Sequence, residues 1–291
     1  MKVVVIGAGL GGLSAAAHLA RSGHDVTIVE RDAIPGGRAG MIESHGFRLD
    51  NGPTVLTMPN LLEEAFNAAG ADMGNFVKIK KVDPMYRAVY EDGSELFVRH
   101  GREAMAEEIA RFSNKVEASS FHKFCVWLEQ LYRAEMNSFI DTNFDSPVDL
   151  MRPWRDGLRL VRMGAFRKLD KKIGSFFRDD RLQRIFSFQS MYAGLAPYEA
   201  LSLYAVITYM DSVEGVYFPE GGMHAMATGL ADAVTRAGVQ IRYESPVTRI
   251  LRSAGSRGAV VGVEIGGDER MAADAVVCNP DLPVAYRTLL G

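Results

Sequence analysis

Cysteine is nearly absent: Cys125 and Cys278 are the 2 in 291 residues, far apart and in no CxxC spacing. A disulfide framework is therefore excluded as the source of stability, and no zinc-ligand pattern exists. Both residues read as free, mostly buried thiols of a reducing compartment. An excess of one charge is lacking too. The 33 basic residues against 36 acidic ones leave a net charge of -3 and a pI near 6.1, with no general electrostatic reason to bind nucleic acid. No stretch approaches the roughly 20 uninterrupted apolar residues of a membrane-crossing helix. The histidines at 18, 24, 45, 100, 122 and 224 form no HExxH or other close metal pattern, and no GxSxG elbow occurs. Internal repeats and low-complexity tracts are missing as well. The expectation is a cytoplasmic chain, at most peripheral to a membrane. At 47% apolar and 24% charged residues, it is able to bury one large α/β core or two smaller ones.

What is present is concentrated at the amino terminus. Lysine, a run of apolar residues and Ala15–Ala17 superficially resemble a secretion signal, but glycines at 7, 9, 11 and 12 would break its helix. They fit another pattern. Val3–Ile6 is a β-branched run bounded by glycine, as in a parallel strand buried on both faces. Gly7-Ala8-Gly9-Leu10-Gly11-Gly12 follows as GxGxxG, then an alanine-rich helical stretch Leu13–Ser22, a stop at Gly23 and a second strand Asp25–Glu30. In such a βαβ unit the first glycine permits the tight turn, the second lets a pyrophosphate approach, and the third allows close helix–strand packing. The phosphates sit on the positive end of the helix. Glu30 closes the second strand, where a carboxylate accepts from an adenosine ribose and repels a 2'-phosphate, disfavouring NADP.

Just past Glu30 lies Pro35-Gly36-Gly37-Arg38, a second glycine pair that brings backbone and a guanidinium toward a pyrophosphate. This resembles the extended FAD signature of the glutathione-reductase-like flavoproteins. Gly46–Thr54 (GFRLDNGPT) is similar to the GFxxDxGPT segment that carotene and phytoene desaturases lay along the flavin; read alone, it merely ends a strand in a turn. With Phe186–Phe188, GVYFPEGG at Gly215–Gly222 and the closing NPDLPVAYRTLLG from Asn279, the chain resembles bacterial and fungal phytoene desaturases along essentially its whole length.

That resemblance implies non-covalent FAD and removal of hydrogens from adjacent carbons of a lipophilic polyene precursor, with quinone or oxygen taking the electrons. It assigns cofactor contacts to Gly7, Gly9, Leu10, Gly11, Gly12, Glu30, Arg31, Gly36, Gly37, Arg38, Gly52, Pro53 and Thr54, and backbone contact with adenine to Val247. It identifies no catalytic base. Its fold would be α/β, a Rossmann-like FAD-binding domain of the glutathione-reductase type with an inserted α+β substrate domain. Residues 1–77 and 215–291 would form the discontinuous FAD-binding domain and residues 78–214 the substrate and membrane-contact domain. Family members continue beyond this LLG, so a complementing carboxy-terminal segment or a homo-oligomer is an expected partner. A flavin amine oxidase or polyene saturase would share these motifs, as would a non-catalytic isoprenoid carrier such as the Rab escort and GDI proteins.

The middle of the chain carries two further signals. Lys78–Val98 alternates in strand fashion around a polar turn and reads as a hairpin; from about Glu103 to Met210 the pattern is helical. Within it, residues 151–178 hold nine Lys or Arg and two Asp, while Leu150, Trp154, Leu158, Val161, Ala165, Leu169 and Ile173 recur at helical spacing, with a break expected at Gly164. The alternatives are an anionic membrane surface for this basic amphipathic stretch or an apolar stripe turned to the protein's own core. Phe188, Tyr192, Tyr204 and Tyr209 are candidate lining of an apolar tunnel, or plain core.

Overall fold

The computed structural model describes residues 1–143, 145–146, 148–149, 153–254 and 258–290. Leu150 and Met151 of the expected amphipathic stretch, and Gly291, lie outside the described residues. The chain divides into two compact units, one built from Met1–Lys80 and the segment from Tyr217 onward, the other from Lys81–Val216.

In chain order the elements are β1 (Lys2–Ile6), α1 (Leu10–Arg21), β2 (Asp25–Val29), β3 (Gly40–Ser44), β4 (Phe47–Asn51), α2 (Pro59–Ala68) and β5 (Ile79–Lys81). Next come β6 (Tyr86–Val89), β7 (Glu95–Val98), α3 (Arg102–Phe112), α4 (Lys115–Glu135), α5 (Trp154–Met163), α6 (Leu169–Ile173), α7 (Asp180–Ile185) and α8 (Ala205–Ser212). The chain then forms β8 (Tyr217–Pro219), α9 (His224–Arg236), β9 (Gln240–Arg242), β10 (Val247–Arg252), β11 (Val260–Ile265), β12 (Glu269–Ala272), β13 (Ala275–Cys278) and α10 (Leu282–Val284).

The first unit is layered around a parallel sheet of order β13-β1-β2-β9. Strands that are β-branched throughout have no polar face to offer solvent, so both sides must be covered. Val5, Ile28, Leu13, Phe66, Leu230 and Val234 share a core with α1, α2 and α9 on one side. On the other, Val4, Ile6 and Val29 pack against Ile250, Val263 and Ile265 of the antiparallel sheet β10-β11-β12. Each such side chain contributes about 1.5–3 kcal/mol relative to exposure, so this double burial is the unit's main stabilisation.

Two details depart from the pattern reading. Helix α1 begins at Leu10, three residues earlier than the alanine-rich run suggests, because Gly11 and Gly12 join its first turn. Strand β12 escapes periodicity: its four residues ERMA are mostly exposed and lack apolar alternation, yet pair with β11 from Gly262↔Ala272 to Ile265↔Glu269. Cys125 is buried, whereas Cys278, at the end of β13, is exposed. The Asp50 carboxylate accepts from the backbone N–H groups of Met223 (2.8 Å) and His224 (3.0 Å), capping the start of α9. The His224 ring is buried, its Nδ1 3.0 Å from the Ala39 carbonyl.

The second unit pairs the hairpin β6–β7 with helices α3–α8. Its core is aromatic: Phe124 and Phe177 lie 5.2 Å apart between centroids, and Phe186 sits 5.4 Å from Phe121 and 5.5 Å from Phe124. Tyr209 is buried and stacks on Tyr132 at 4.7 Å, so it belongs to the core. Phe188 meets Tyr86 and Tyr192 edge to face. Asp211, fully buried, accepts from the hydroxyls of Tyr86, Tyr192 (3.2 Å) and Ser212 (3.0 Å). Of the expected apolar stripe, Ala165, Leu169 and Ile173 are fully buried, while Trp154, Leu158 and Val161 are exposed; the break falls at Gly164, the left-handed cap of α5.

Glu135 ends α4 only 5% exposed, and its Oε1 has no hydrogen-bond partner. Burial pushes its carboxyl up to about 8. With the folded value raised, the neutral acid's contribution is fully present below the ordinary value of 4.5 and is lost as pH rises to about 8. We expect Glu135→Gln to abolish this dependence and to stabilise the chain by on the order of 3 kcal/mol at pH 8.5, with a much smaller gain at pH 5. Urea unfolding of both proteins across that range measures it; parallel pH profiles would contradict the assignment.

Candidate dinucleotide site

Ligands of open parallel sheets bind outside the carboxyl ends of the strands. Here those ends deliver Ile6 and Gly7 from β1, Val29 and Glu30 from β2, and Asn279 after β13, around a cavity of about 1200 Å³. The cavity lies wholly within the first unit.

Of the residues named from sequence, Gly7, Gly9, Leu10, Glu30, Arg31, Gly36, Gly37, Arg38, Gly52, Pro53 and Val247 line this cavity. Gly11, Gly12 and Thr54 lie outside the lining. For Gly12 the reason is packing: a β-carbon there would stand 2.0 Å from the Gly7 carbonyl oxygen, so the missing side chain is what lets α1 start against β1. Gly52 is fixed by backbone as well. Its φ of +154° and a β-carbon position 1.8 Å from the Arg38 carbonyl tie the turn after β4 to the Gly36–Arg38 loop.

Gly9 is different. Its φ is an ordinary -68°, and a β-carbon there would meet nothing closer than 3.6 Å. Protein packing therefore does not demand glycine at this position; the cavity in front of it accounts for the bare backbone. Gly9 also caps α1 without any side-chain hydrogen bond, and no acidic residue occupies the helix's first turn. The first N–H groups and the positive end of the helix dipole thus remain for an anion.

Glu30 is held rigidly and is nearly buried. Its Oε2 accepts from the Ala8 N–H at 2.6 Å and its Oε1 from the Asp32 N–H at 2.9 Å. Each oxygen keeps a lone pair for a further donor, as a ribose diol requires. Arg38 is exposed and pairs with Asp281; Arg31 stands 3.6 Å from Asp32. The set of aligned backbone donors, one fixed acceptor and two guanidiniums fits a dinucleotide: diphosphate at the helix, ribose at Glu30.

The sequence reading missed several lining residues of this cavity. Asn279, Asp281, Val284, Thr288 and Leu289 line it, together with Pro246 and Thr248 flanking Val247. The signal was available in the order of elements. Asn279 directly follows the strand that pairs with β1 in parallel, and its own N–H donates to the Ile6 carbonyl at 3.2 Å.

Comparison with known proteins agrees with this geometry. The chain is 51% identical over 287 residues to a phytoene dehydrogenase of Streptomyces griseus, covering 99% of this chain and 55% of that protein. It is 36% identical over 292 residues to a zeta-carotene-forming phytoene desaturase of Myxococcus xanthus, again with 99% and 55% coverage. The chain thus spans about half the length of these curated relatives. An oxidoreductase structure from Methanosarcina mazei matches 96% of this chain and 58% of its own at a TM-score of 0.61 and 23% identity, which shows a shared fold. Residues 10–290 match the model of the flavin-containing amine oxidoreductases, from the first turn of α1 to the last described residue, and the chain belongs to that family.

Proposed function

We propose that this chain supplies the FAD cradle of a carotenoid desaturase acting on a lipophilic polyene such as phytoene, with quinone or oxygen as final electron acceptor. The observation that carries the reading is the dinucleotide-shaped cavity at the strand ends of a chain 51% identical to a phytoene dehydrogenase. Bound flavin supplies the acceptor for the hydride that desaturation removes from carbon.

The chain's own residues bind and orient. The start of α1 at Leu10 and the Arg38 guanidinium hold the diphosphate, Glu30 the adenosine ribose and Val247 the adenine, with Gly52 and Pro53 along the flavin half. Asp50 acts one step back, tying the turn that carries Gly52 to α9. The unit formed by Lys81–Val216 is the substrate domain in this reading. Exposed Phe47 and Leu49 on β4 are surface for further polypeptide of the kind that completes the longer relatives.

A polyene dissolved in lipid must be met at a membrane surface, and α5 is the docking element we propose. No helix among the described residues is long and apolar enough to cross a membrane. On α5, Trp154, Leu158 and Val161 are 62%, 42% and 59% exposed, and Arg155, Arg159 and Arg162 run beside them at the same spacing. Leu160 faces inward instead, and the Met163 carbonyl accepts from the Trp127 indole at 3.1 Å. Such a face gains both apolar burial and attraction to anionic headgroups.

Two experiments test these statements. FAD-loaded chain, supplemented with the carboxy-terminal half of the Streptomyces relative, is expected to convert phytoene in liposomes to products absorbing at longer wavelength. Flavin binding with unchanged phytoene would count against the desaturase reading. In flotation with phosphatidylglycerol-containing vesicles, Arg155→Glu, Arg159→Glu and Arg162→Glu together should lower bound protein about tenfold or more, at about 1 kcal/mol per cation; unchanged flotation would remove the membrane role.

A further inference from the structure

The glycine at position 11 is not part of the GxGxxG requirement, and its explanation leads to a binding group outside the assigned set. A β-carbon on Gly11 would lie 2.8 Å from Asn279 Oδ1. The Asn279 carboxamide therefore rests on the first turn of α1, oxygen toward Gly11. Of the Asn279 atoms, Nδ2 comes nearest the β-carbon positions of Gly12 (3.4 Å) and Gly9 (3.6 Å). Among the described residues this side chain makes no hydrogen bond, although its backbone is fixed to Ile6 and it lines the cavity. An amide donor without a protein partner, anchored at a strand end and turned toward the cavity-lining backbone of Gly9, is placed for an anion. Such a donor adds to the helix N–H groups without adding charge, so it leaves the field of the nearby Glu30 and Asp281 carboxylates unchanged.

We infer that Asn279 is a diphosphate-binding residue, donating from Nδ2, and that Gly11 is bare in order to seat it. The inference rests on the dinucleotide reading of the cavity. ADP, which carries the diphosphate, and adenosine, which lacks it, are the probes, titrated calorimetrically into the 291-residue chain. Asn279→Ala should weaken ADP about tenfold, in line with one hydrogen bond to a charged group, and Asn279→Asp by about a hundredfold through added repulsion. Adenosine affinity and the thermal midpoint should not move in either variant. Gly11→Ala should displace the amide and reproduce the loss, with no further loss in the Gly11→Ala, Asn279→Ala double variant. If Asn279→Ala binds ADP as tightly as the unaltered chain, or if adenosine weakens equally, the inference fails while the dinucleotide reading stands. If the unaltered chain binds neither ADP nor FAD, both fail.

Discussion

The structure depends on how closely one helix is allowed to approach one strand. Because Gly12 has no side chain, the first turn of α1 rests on the Gly7 carbonyl, and the helix starts directly at the carboxyl end of the parallel sheet. A methyl group at that contact would push the helix away from the strand ends. The uncapped N–H groups would then no longer face the space that β1, β2 and β13 enclose. The double burial of β1 and β2 makes the sheet rigid enough for this contact to be reproducible. Site and core are in this sense one construction: the helix that packs against the sheet is also the helix that presents the positive charge.

Around that contact the acidic groups are kept in place by backbone donors. Glu30 is oriented by two backbone N–H groups, and Asp50 spends its carboxylate on the start of α9. Arg38, by contrast, is exposed and pairs with Asp281, an arrangement of small net energy that a diphosphate can readily replace. In the proposed reading the fixed groups set the position of the dinucleotide, and the exposed Arg38 adds a cation beside its diphosphate.

Most of this was legible in the sequence because it is local. The β1-α1-β2 unit is contiguous, its glycines recur at fixed spacing, and strands apolar throughout announce burial on two faces. The hairpin β6–β7 was equally clear from alternation. What could not be read depends on distant segments meeting. Asn279 has no assigned contact until β13 pairs with β1, and Gly11, assigned to the cofactor from sequence, instead has Asn279 lying on it. Asp50 sits in a segment that suggests a flavin contact, yet its carboxylate caps a helix more than 170 positions away, at Met223 and His224. In the second unit, helical period marked a stripe from Leu150 to Ile173 with a break at Gly164, but not which half is covered. Only packing separates its exposed first half from its buried second half.

The central claim is that this chain forms a cradle for FAD, and the absorbance spectrum of the purified 291-residue protein tests it most directly. The account predicts oxidised-flavin bands after incubation with FAD and gel filtration, with one FAD per chain released on denaturation and weakened retention when Glu30 is replaced by alanine. A colourless protein, or one that retains FMN as well as FAD regardless of Glu30, would contradict it, because the proposed cradle holds the ligand by its adenosine diphosphate half.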